Sequence, residues 1–491
     1  MSEISDLKYD VLIVGSGPAA LGAAYELTEK SSLKIAIIEK EKYCSGGLAN
    51  DCKLNLTPEI GMDLKHLGVG YSEVEQIIKW IDLKFLQHGA DPTLHGTDNS
   101  KVKELKVRVE DSGAVLVPCM QRHVGTDRAI TIIKGMRDEL IERGVDFFLE
   151  TVVDAIEKNE DIVCHTSKGQ ISSKYLLLAP GRGGSHWLRQ QADSLGIEHN
   201  WGKIDIGVRL EMLNEAYPIT SIIYDPKIRI PLENGDYAKT FCTNLGGKVR
   251  IESDADSMEF EGKRLKLING DALHGKRFPN TNFAVMYKME LTEPIADTKA
   301  VGRDMIIHTY RLGNWKPLIQ RMGDFMSKRR SKWETFFSAE RRFNIVKPSL
   351  TIGTNKNGGV LVPGDIRLAL PGRIIDGLQK AFETLDRIAG KHVANIEILN
   401  GKGEPTGNFR QEVVHILHPS TIIYAPEIKF GDSIYRNCGN LETNIPGIFV
   451  MGNSNNTSGI IAAWVSGIVS ARGVMKREKE PRQLKLEITA V

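Results

Sequence analysis

Hydrophobic positions in the first forty residues fall into two short runs separated by small residues. Residues 9–14 are mostly apolar, and residues 35–38 are apolar throughout. Runs this short, bounded by turn-forming residues, fit buried strands. Between them, Gly15-Ser16-Gly17-Pro18-Ala19-Ala20 opens a stretch that reads as a helix to about Lys30. Farther on, Val74, Ile77, Ile78, Ile81, Phe85 and Leu86 recur at helical spacing, which predicts a helix over 72–89. Ser72 is placed as its N-cap with Glu75 three residues on, and Gly89 as its stop. Residues 102–107 and 114–118 are expected to be extended. Thr126 or Asp127 is expected to cap a helix to Arg143, closed by Gly144. Residues 145–156 read as a strand or hairpin, and 175–179 as a short buried strand ending at Pro180-Gly181-Arg182-Gly183-Gly184.

From about residue 206 strand-like pieces dominate. In 283–291, Phe283, Val285, Tyr287, Met289 and Leu291 alternate with other residues, predicting a half-buried strand with one apolar face. Residues 363–390 carry a further helix. Residues 447–451 predict a buried strand, followed by Gly452-Asn453 and a small-residue helix over about 459–472. The charged tail beyond Met475 is expected to fray. No internal repeat is visible.

The first forty residues therefore read as strand, glycine-rich turn, helix, strand and acid, the dinucleotide-binding βαβ unit. Gly15 permits the tight turn, and Gly17 lets the backbone approach a pyrophosphate seated on the helix N-terminus. Ala20 stands where a third glycine is usual and is small enough for close helix–strand packing. Glu39 ends the second strand, 22 positions past Gly17, where a carboxylate can accept hydrogen bonds from a ribose diol. The same charge repels a 2′-phosphate, so NADP is disfavoured at this site and FAD or NAD remains.

The chain of 491 residues is long enough for two or three domains. Its 64 basic and 62 acidic residues nearly cancel, so nothing global suggests a nucleic-acid partner. The clusters Lys328-Arg329-Arg330 and Arg341-Arg342 are read as solvated helix faces. No signal peptide is visible, and the longest apolar stretch, 459–469, is too short and too interrupted to span a bilayer. A soluble cytoplasmic protein is expected. The six cysteines are scattered without a CxxC pair, which argues against a disulfide scaffold and a zinc site. His415 and His418 lie three apart, with no carboxylate or thiol completing a metal set, so no metal is expected.

Three separated segments, Gly15 to Ala20, Ala179-Pro180-Gly181 and Gly452-Asn453, together resemble the flavoproteins built like glutathione reductase and para-hydroxybenzoate hydroxylase. More narrowly, FLQHGAD at 85–91, QRHVGTDR at 121–128, IGVRLE at 206–211, TFCTNLGG at 240–247 and LETNIPGIFVMG at 441–452 resemble the uncharacterised FAD-dependent dehydrogenase family. The resemblance implies an α/β fold: a discontinuous FAD-binding Rossmann-like domain with an inserted α+β substrate domain. The expected parts are 1–205 (with a helical insertion at about 53–105), the insert at 206–405, the returning FAD part at 406–475, and the tail 476–491.

It also implies site residues. Gly15, Ser16, Gly17, Pro18, Ala19 and Ala20 would hold the pyrophosphate, with Glu39 and Lys40 at the adenosine ribose. Gly46 and Gly47 would let the chain pass close to the flavin side, Val153 would sit at the adenine, and Arg122 would touch the FAD chain. Ala179, Pro180 and Gly181 form the mid-chain turn, and Gly452-Asn453 would meet the ribityl and pyrophosphate. The helix beginning at Gly459 and Ile460 would aim its N-terminus at the flavin. Two departures stand out: Pro180 replaces the usual Thr, and Asn453 the usual Asp.

The cofactor implied is FAD, held noncovalently in preference to the alternative of a covalent link through a histidine or cysteine. No convincing second strand–GxGxxG–helix unit is present, so NAD(P)H would bind transiently as an electron donor, or the electrons would come from the substrate. Cys44 and Cys52 have the wrong spacing for a redox dithiol. His123 is the candidate general acid or base, and Cys242 a candidate thiol near the flavin. The expected function is hydride transfer between flavin N5 and an organic small molecule. The alternatives are a flavin monooxygenase using NAD(P)H and O2, and an FAD-binding RNA-modification or interaction protein.

Overall fold

The computed structural model describes residues 4–44, 52–253, 259–275, 277–289, 291–294, 297–337, 344–350, 352, 359–399, 404–430 and 433–479. Gly46, Gly47, Arg341, Arg342 and the tail from 480 lie outside them. The architecture is α/β: a Rossmann-like unit built from separated segments, with an α+β unit inserted between them.

The first unit is organised by a seven-stranded sheet. Its central strand, Ile4–Val14, lies between Ile35–Ile38 and Gly169–Leu178, parallel to both, and Asp146–Phe148 extends the parallel edge. The strands Ile162–Thr166 and Val153–Lys158 continue the other side antiparallel. Ile448–Val450 pairs parallel with the end of Gly169–Leu178. The alternation of the pleat sorts the side chains. Val11 and Ile13 enter one core with the helices Pro18–Lys30, Thr126–Glu142 and Ile460–Lys479. Leu12 and Val14 enter a second core on the opposite face with Leu188 and Ala192.

The last helix returns the chain to its beginning. Ile460–Lys479 lies against Pro18–Lys30 so closely that a Cβ at Gly467 would sit 1.9 Å from the Ala19 carbonyl oxygen. A Cβ at Gly22 would sit 2.5 Å from the Trp464 carbonyl oxygen. Trp464, fully buried, stacks on Tyr25 with ring centroids 5.7 Å apart.

The second unit is an eight-stranded mixed sheet in the order Val362–Pro363, Leu318–Arg321, Ile422–Phe430, Ile204–Leu213, Asn280–Met289, Tyr237–Asn244, Lys227–Pro231 and Val115–Val117. One face packs on the helices Gly372–Ala389 and Thr298–Leu312, where Gly377 admits the Tyr287 ring. The other face is polar and lies under the hairpin of Lys248–Ser253 and Lys266–Asp271.

Several expectations are corrected. Residues 102–107 belong to a helix, Asn99–Asp111, capped by the Asp98 carboxylate accepting from the Lys101 N–H; Leu105 and Val109 form its buried stripe. The helix expected from Ser72 is Tyr71–Gln87 with Gly70 as N-cap, and Gly125, rather than Thr126 or Asp127, is the N-cap of Thr126–Glu142. The strand Asn280–Met289 is buried on both faces up to Tyr287, because the polar face is covered as well. The expected helix over 363–390 is two helices, Ile366–Ala369 and Gly372–Ala389. The C-terminal helix runs on to Lys479, beyond the expected fraying point. Lys328 to Arg330 lie in an exposed turn after the short helix Met322–Met326. Segment membership also differs from the expected boundaries. Ile422–Phe430, expected in the returning first unit, pairs with Ile204–Leu213 in the inserted sheet, and Val115–Val117, from the first segment, pairs with Lys227–Pro231.

Among the described residues no helix is long and apolar enough to cross a membrane.

The helix crossing yields a prediction. Gly467→Ala should destabilise the chain by about 2 kcal/mol, since the added methyl meets backbone rather than a movable side chain. Urea unfolding checks it, and an unchanged midpoint would contradict the close approach.

Candidate functional site

Three distant segments meet at the C-terminal ends of the parallel strands, the region where open α/β sheets bind ligands. The Gly15 N–H donates to the Ile38 carbonyl at 2.8 Å, and the Ala179 N–H to the Val14 carbonyl at 2.8 Å. Gly15 has φ +95°, and a Cβ there would lie 2.2 Å from the Ala179 oxygen, so only glycine fits this corner. The Met451 N–H donates to the Leu178 carbonyl at 3.0 Å, which delivers Gly452 to within 3.1 Å of Ala19, measured from a Cβ built on the glycine. Asn453 follows in the single turn Gly452–Ser454.

The helix Pro18–Lys30 starts at Gly17 with no side-chain cap. Its leading N–H groups and the helix dipole suit an anion. Glu39 is buried beside this turn: one carboxylate oxygen accepts from the Ser16 N–H at 3.0 Å and hydroxyl at 2.5 Å, and the other from the Glu41 N–H at 3.0 Å. Lys40 is exposed, and Val153 is buried at the head of its strand. Gly181 (φ +64°) and Gly459 (φ +93°) face open space, with no atom within 4 Å of a built Cβ. Ile460 opens the C-terminal helix. Just before it, the Ser458 N–H donates to the Gly61 carbonyl at 2.6 Å, while the buried Thr457 hydroxyl has no hydrogen-bond partner. An uncapped helix start, two glycines open to space and an orphaned buried hydroxyl fit an extended polyoxygenated group such as FAD.

Arg122 is differently placed from its expected role. Its guanidinium is buried in a two-pronged pair with Asp82, both contacts 2.7 Å, and donates to the Asp91 carbonyl at 2.7 Å. Two of its nitrogens thus tie the strand Gln121–His123 to the helix Tyr71–Gln87, and the third ties it to the loop that follows the helix. Burial pushes the Cys44 thiol up to about 11, the opposite of an activated thiolate.

A second constellation lies at the seam of the two units. Lys53 and His123 are register partners on the antiparallel pair Lys53–Asn55 and Gln121–His123. Lys53 reaches into the second unit, where its ammonium donates to the Thr243 carbonyl and to the Asn244 side chain at 3.3 Å. It pairs with Asp225 at 3.5 Å and lies 3.7 Å from the Cys242 sulfur. Burial alone would raise the Asp225 carboxyl, but the ammonium groups of Lys227 and Lys53 hold it well below the usual carboxylate range. Cys242 sits at an irregularity of the strand Tyr237–Asn244 with φ +50°, a strained conformation for a residue with a Cβ. Its carbonyl is held by Arg209 and Asn244, each at 3.1 Å. Arg209 is fully buried, with Glu427 as bidentate partner at 2.8 Å for both contacts.

His123 stacks on Tyr224, with ring centroids 4.6 Å apart, and lies 6.2 Å from His274. It is buried, and its Nε2 has no hydrogen-bond partner. Burial, then the positive field of Lys53, pulls its pKa down to about 3. The expected general acid is therefore a neutral imidazole near pH 7, suited to hydrogen bonding rather than to delivering a proton. The Thr243 hydroxyl and the Asn282 amide nitrogen, in the same network, are also unpartnered and buried. Lys53, Tyr224, Asp225 and Arg209 are the residues missed by sequence reasoning. No motif marks the first three; Arg209 lies within IGVRLE, but nothing local tells a buried arginine from an exposed one.

The family model that matches the chain is that of the Thi4 family, over residues 2–55, the span of the fingerprint. No curated protein sequence matches. Among solved structures, glycine oxidase from Geobacillus kaustophilus aligns at 12% identity over 97% of this chain and 96% of that one, with a TM-score of 0.40. L-amino acid deaminase from Proteus myxofaciens aligns at 12% identity over 98% and 93%, with a TM-score of 0.41. A flavoprotein/dehydrogenase from Cytophaga hutchinsonii aligns at 10% identity over 96% and 80%, with a TM-score of 0.40.

The seam predicts a pH dependence. A histidine's ordinary value is 6.5, and that of His123 in the fold is about 3. Between these values the unfolded chain binds a proton that the folded chain refuses, so this contribution to stability is lost as pH falls from 6.5 toward 3. His123→Gln should flatten the stability–pH curve in that window relative to wild type. Parallel curves for the two proteins would contradict a buried neutral imidazole.

Proposed function

We propose that this chain is an FAD-dependent oxidoreductase that acts on an organic small molecule bound at the seam of its two units. The observation that carries the proposal is the convergence of Gly15, Ala179 and Gly452 around the uncapped helix start at Gly17, with Glu39 buried beside it. The Thi4 family match, over residues 2–55, takes in Gly15, Gly17 and Glu39 of this group. FAD, when bound, supplies a site that accepts or donates a hydride.

The protein residues then have separable tasks. The N–H groups opening Pro18–Lys30 balance pyrophosphate charge, and the Glu39 carboxylate accepts from ribose hydroxyls. Gly459 and Ile460 open a second helix, whose N-terminus would favour negative charge on a bound FAD. At the seam, the neutral His123 ring offers Nε2, and Thr243 its hydroxyl, to a polar group of the substrate. Lys53 holds Asp225 and the Thr243 carbonyl in place from the opposite unit. The covered polar face of the inserted sheet keeps water from this network. NAD(P)H, where it serves as donor, would visit the site transiently.

Purified protein should be yellow, with the two-banded visible spectrum of oxidised flavin, and should release FAD into the supernatant on heating. A colourless chain that FAD cannot reconstitute would refute the proposal. Glu39→Ala should weaken FAD binding by roughly tenfold or more, read by flavin fluorescence titration, through loss of charge-assisted hydrogen bonds.

With a substrate found by anaerobic bleaching, His123→Phe should lower kcat/KM by about tenfold through loss of one hydrogen bond to the substrate, and leave the flavin bound. Unchanged kcat/KM would remove His123 from the site. Oxygen uptake requiring both NAD(P)H and substrate would place the chain among monooxygenases instead.

A further inference from the structure

The strands His392–Leu399 and Pro405–Val414 form a two-stranded antiparallel ribbon that joins neither large sheet. One of its faces turns Ala394 and Val414 into the core of the second unit. The other carries Val393, Phe409 and Val413, which are 58%, 61% and 52% exposed. Val393 and Val413 are cross-strand partners, and Phe409 lies opposite Glu397, so these apolar side chains share one surface. Among the described residues no strand pairs with the outer edge of Pro405–Val414. That edge carries two charged residues of opposite sign, Arg410 and Glu412, its one proline stands at its first position, and the irregularity in its pairing, between Glu397 and Leu399, lies outside 409–413. Two-stranded ribbons are marginal alone, and natural edges are normally blunted by charge, proline or a bulge.

We propose that this edge pairs antiparallel with the same edge of a second copy of the chain, about a two-fold axis at Gln411. The choice of occupant comes from the self-complementarity of the sequence. In that register Arg410 faces Glu412 of the second copy, and Glu412 faces its Arg410. On the opposite face Phe409 meets Val413, and Val413 meets Phe409. The four pairs flanking the axis are therefore apolar on apolar or opposite in charge, as stable cross-strand neighbours require, while Gln411 meets its own copy on the axis and Asn408 meets Val414 beyond them. A slip of one residue puts Phe409 against Glu412. A slip of two puts Arg410 or Glu412 against its own copy. The ribbon becomes four-stranded, and the isologous contact is closed, so it stops at a dimer. Arg410 and Glu412 of one chain already lie 3.5 Å apart, so the four charges would alternate in sign across the axis.

Light scattering on the size-fractionated full chain tests this. The wild type should elute at twice the monomer mass. Arg410→Glu should raise the dimer dissociation constant about tenfold, because two like-charged pairs then face each other. The double charge swap Arg410→Glu/Glu412→Arg should restore dimerisation. Independently of those variants' folding, Gln411→Cys should form an interchain disulfide under mild oxidation, and Thr406→Cys, on the same strand but off the axis, should not. A monomeric wild type at its highest soluble concentration would overturn the proposal. So would a dimer indifferent to Arg410→Glu, or equal crosslinking at 406 and 411.

Discussion

The contact on which this fold turns is made by backbone against backbone. The first and last helices, Pro18–Lys30 and Ile460–Lys479, touch through Gly22 and Gly467 with no side chain between them. The crossing joins segments more than four hundred residues apart and sets where each helix begins. Gly452 can reach Ala19, and Ile448–Val450 can reach the sheet, only if the crossing is that tight. A site assembled from both ends of the chain therefore inherits its geometry from two glycines outside it. Close packing of this kind tolerates volume changes poorly, since neither helix backbone can yield without moving a strand.

A second constraint, electrostatic rather than steric, registers the two units. Lys53 belongs to the first unit, yet its partners Asp225, Thr243 and Asn244 belong to the second. A lone buried ammonium is costly, so the seam holds where these acceptors stay in reach. Arg209 and Glu427 perform the matching task within the inserted sheet, and the Arg209 guanidinium fixes the carbonyl of strained Cys242. The seam is thus rigid where charges meet and incomplete where Nε2 of His123 and the Thr243 hydroxyl have no partner. That combination, fixed walls with unsatisfied donors and acceptors, is what a polar ligand completes.

How far the sequence disclosed this follows from the range of each signal. The fingerprint was legible because its determinants are local: a turn needing φ above zero at Gly15, a helix start and an acid at strand end. The later motifs at Ala179 and Gly452 were legible only through resemblance, since their proximity to Gly15 is a property of the sheet. Residues 102–107 misled because the β-branched Val102 and Val107 favour strands, while the buried stripe of Leu105 and Val109 has helical spacing. Arg122 misled because its partner, Asp82, is forty residues away. Lys53 and Asp225 carry no local signature, as their pairing exists only once two units are in contact.

The insert's strand order explains why its boundary was hardest to place. A strand's sheet is decided by partners, and Ile422–Phe430 finds them in Ile204–Leu213 and Leu318–Arg321, each over a hundred residues earlier. Its apolar run, IIYA, resembles a buried strand of either unit. Register supplies what composition lacks: Glu427 is the carboxylate partner of the buried Arg209, and Tyr424 hydrogen-bonds Glu211, so Arg209 keeps that partner only if Ile422–Phe430 lies beside its strand. In the first unit's sheet the same strand would lose the two-pronged Arg209 contact and leave Glu427 only the Lys429 ammonium of its own strand, 3.7 Å away, and breaking a buried pair costs several kcal/mol. The polar side chains that a hydrophobicity pattern treats as interruptions are thus the ones that assign this strand to its sheet.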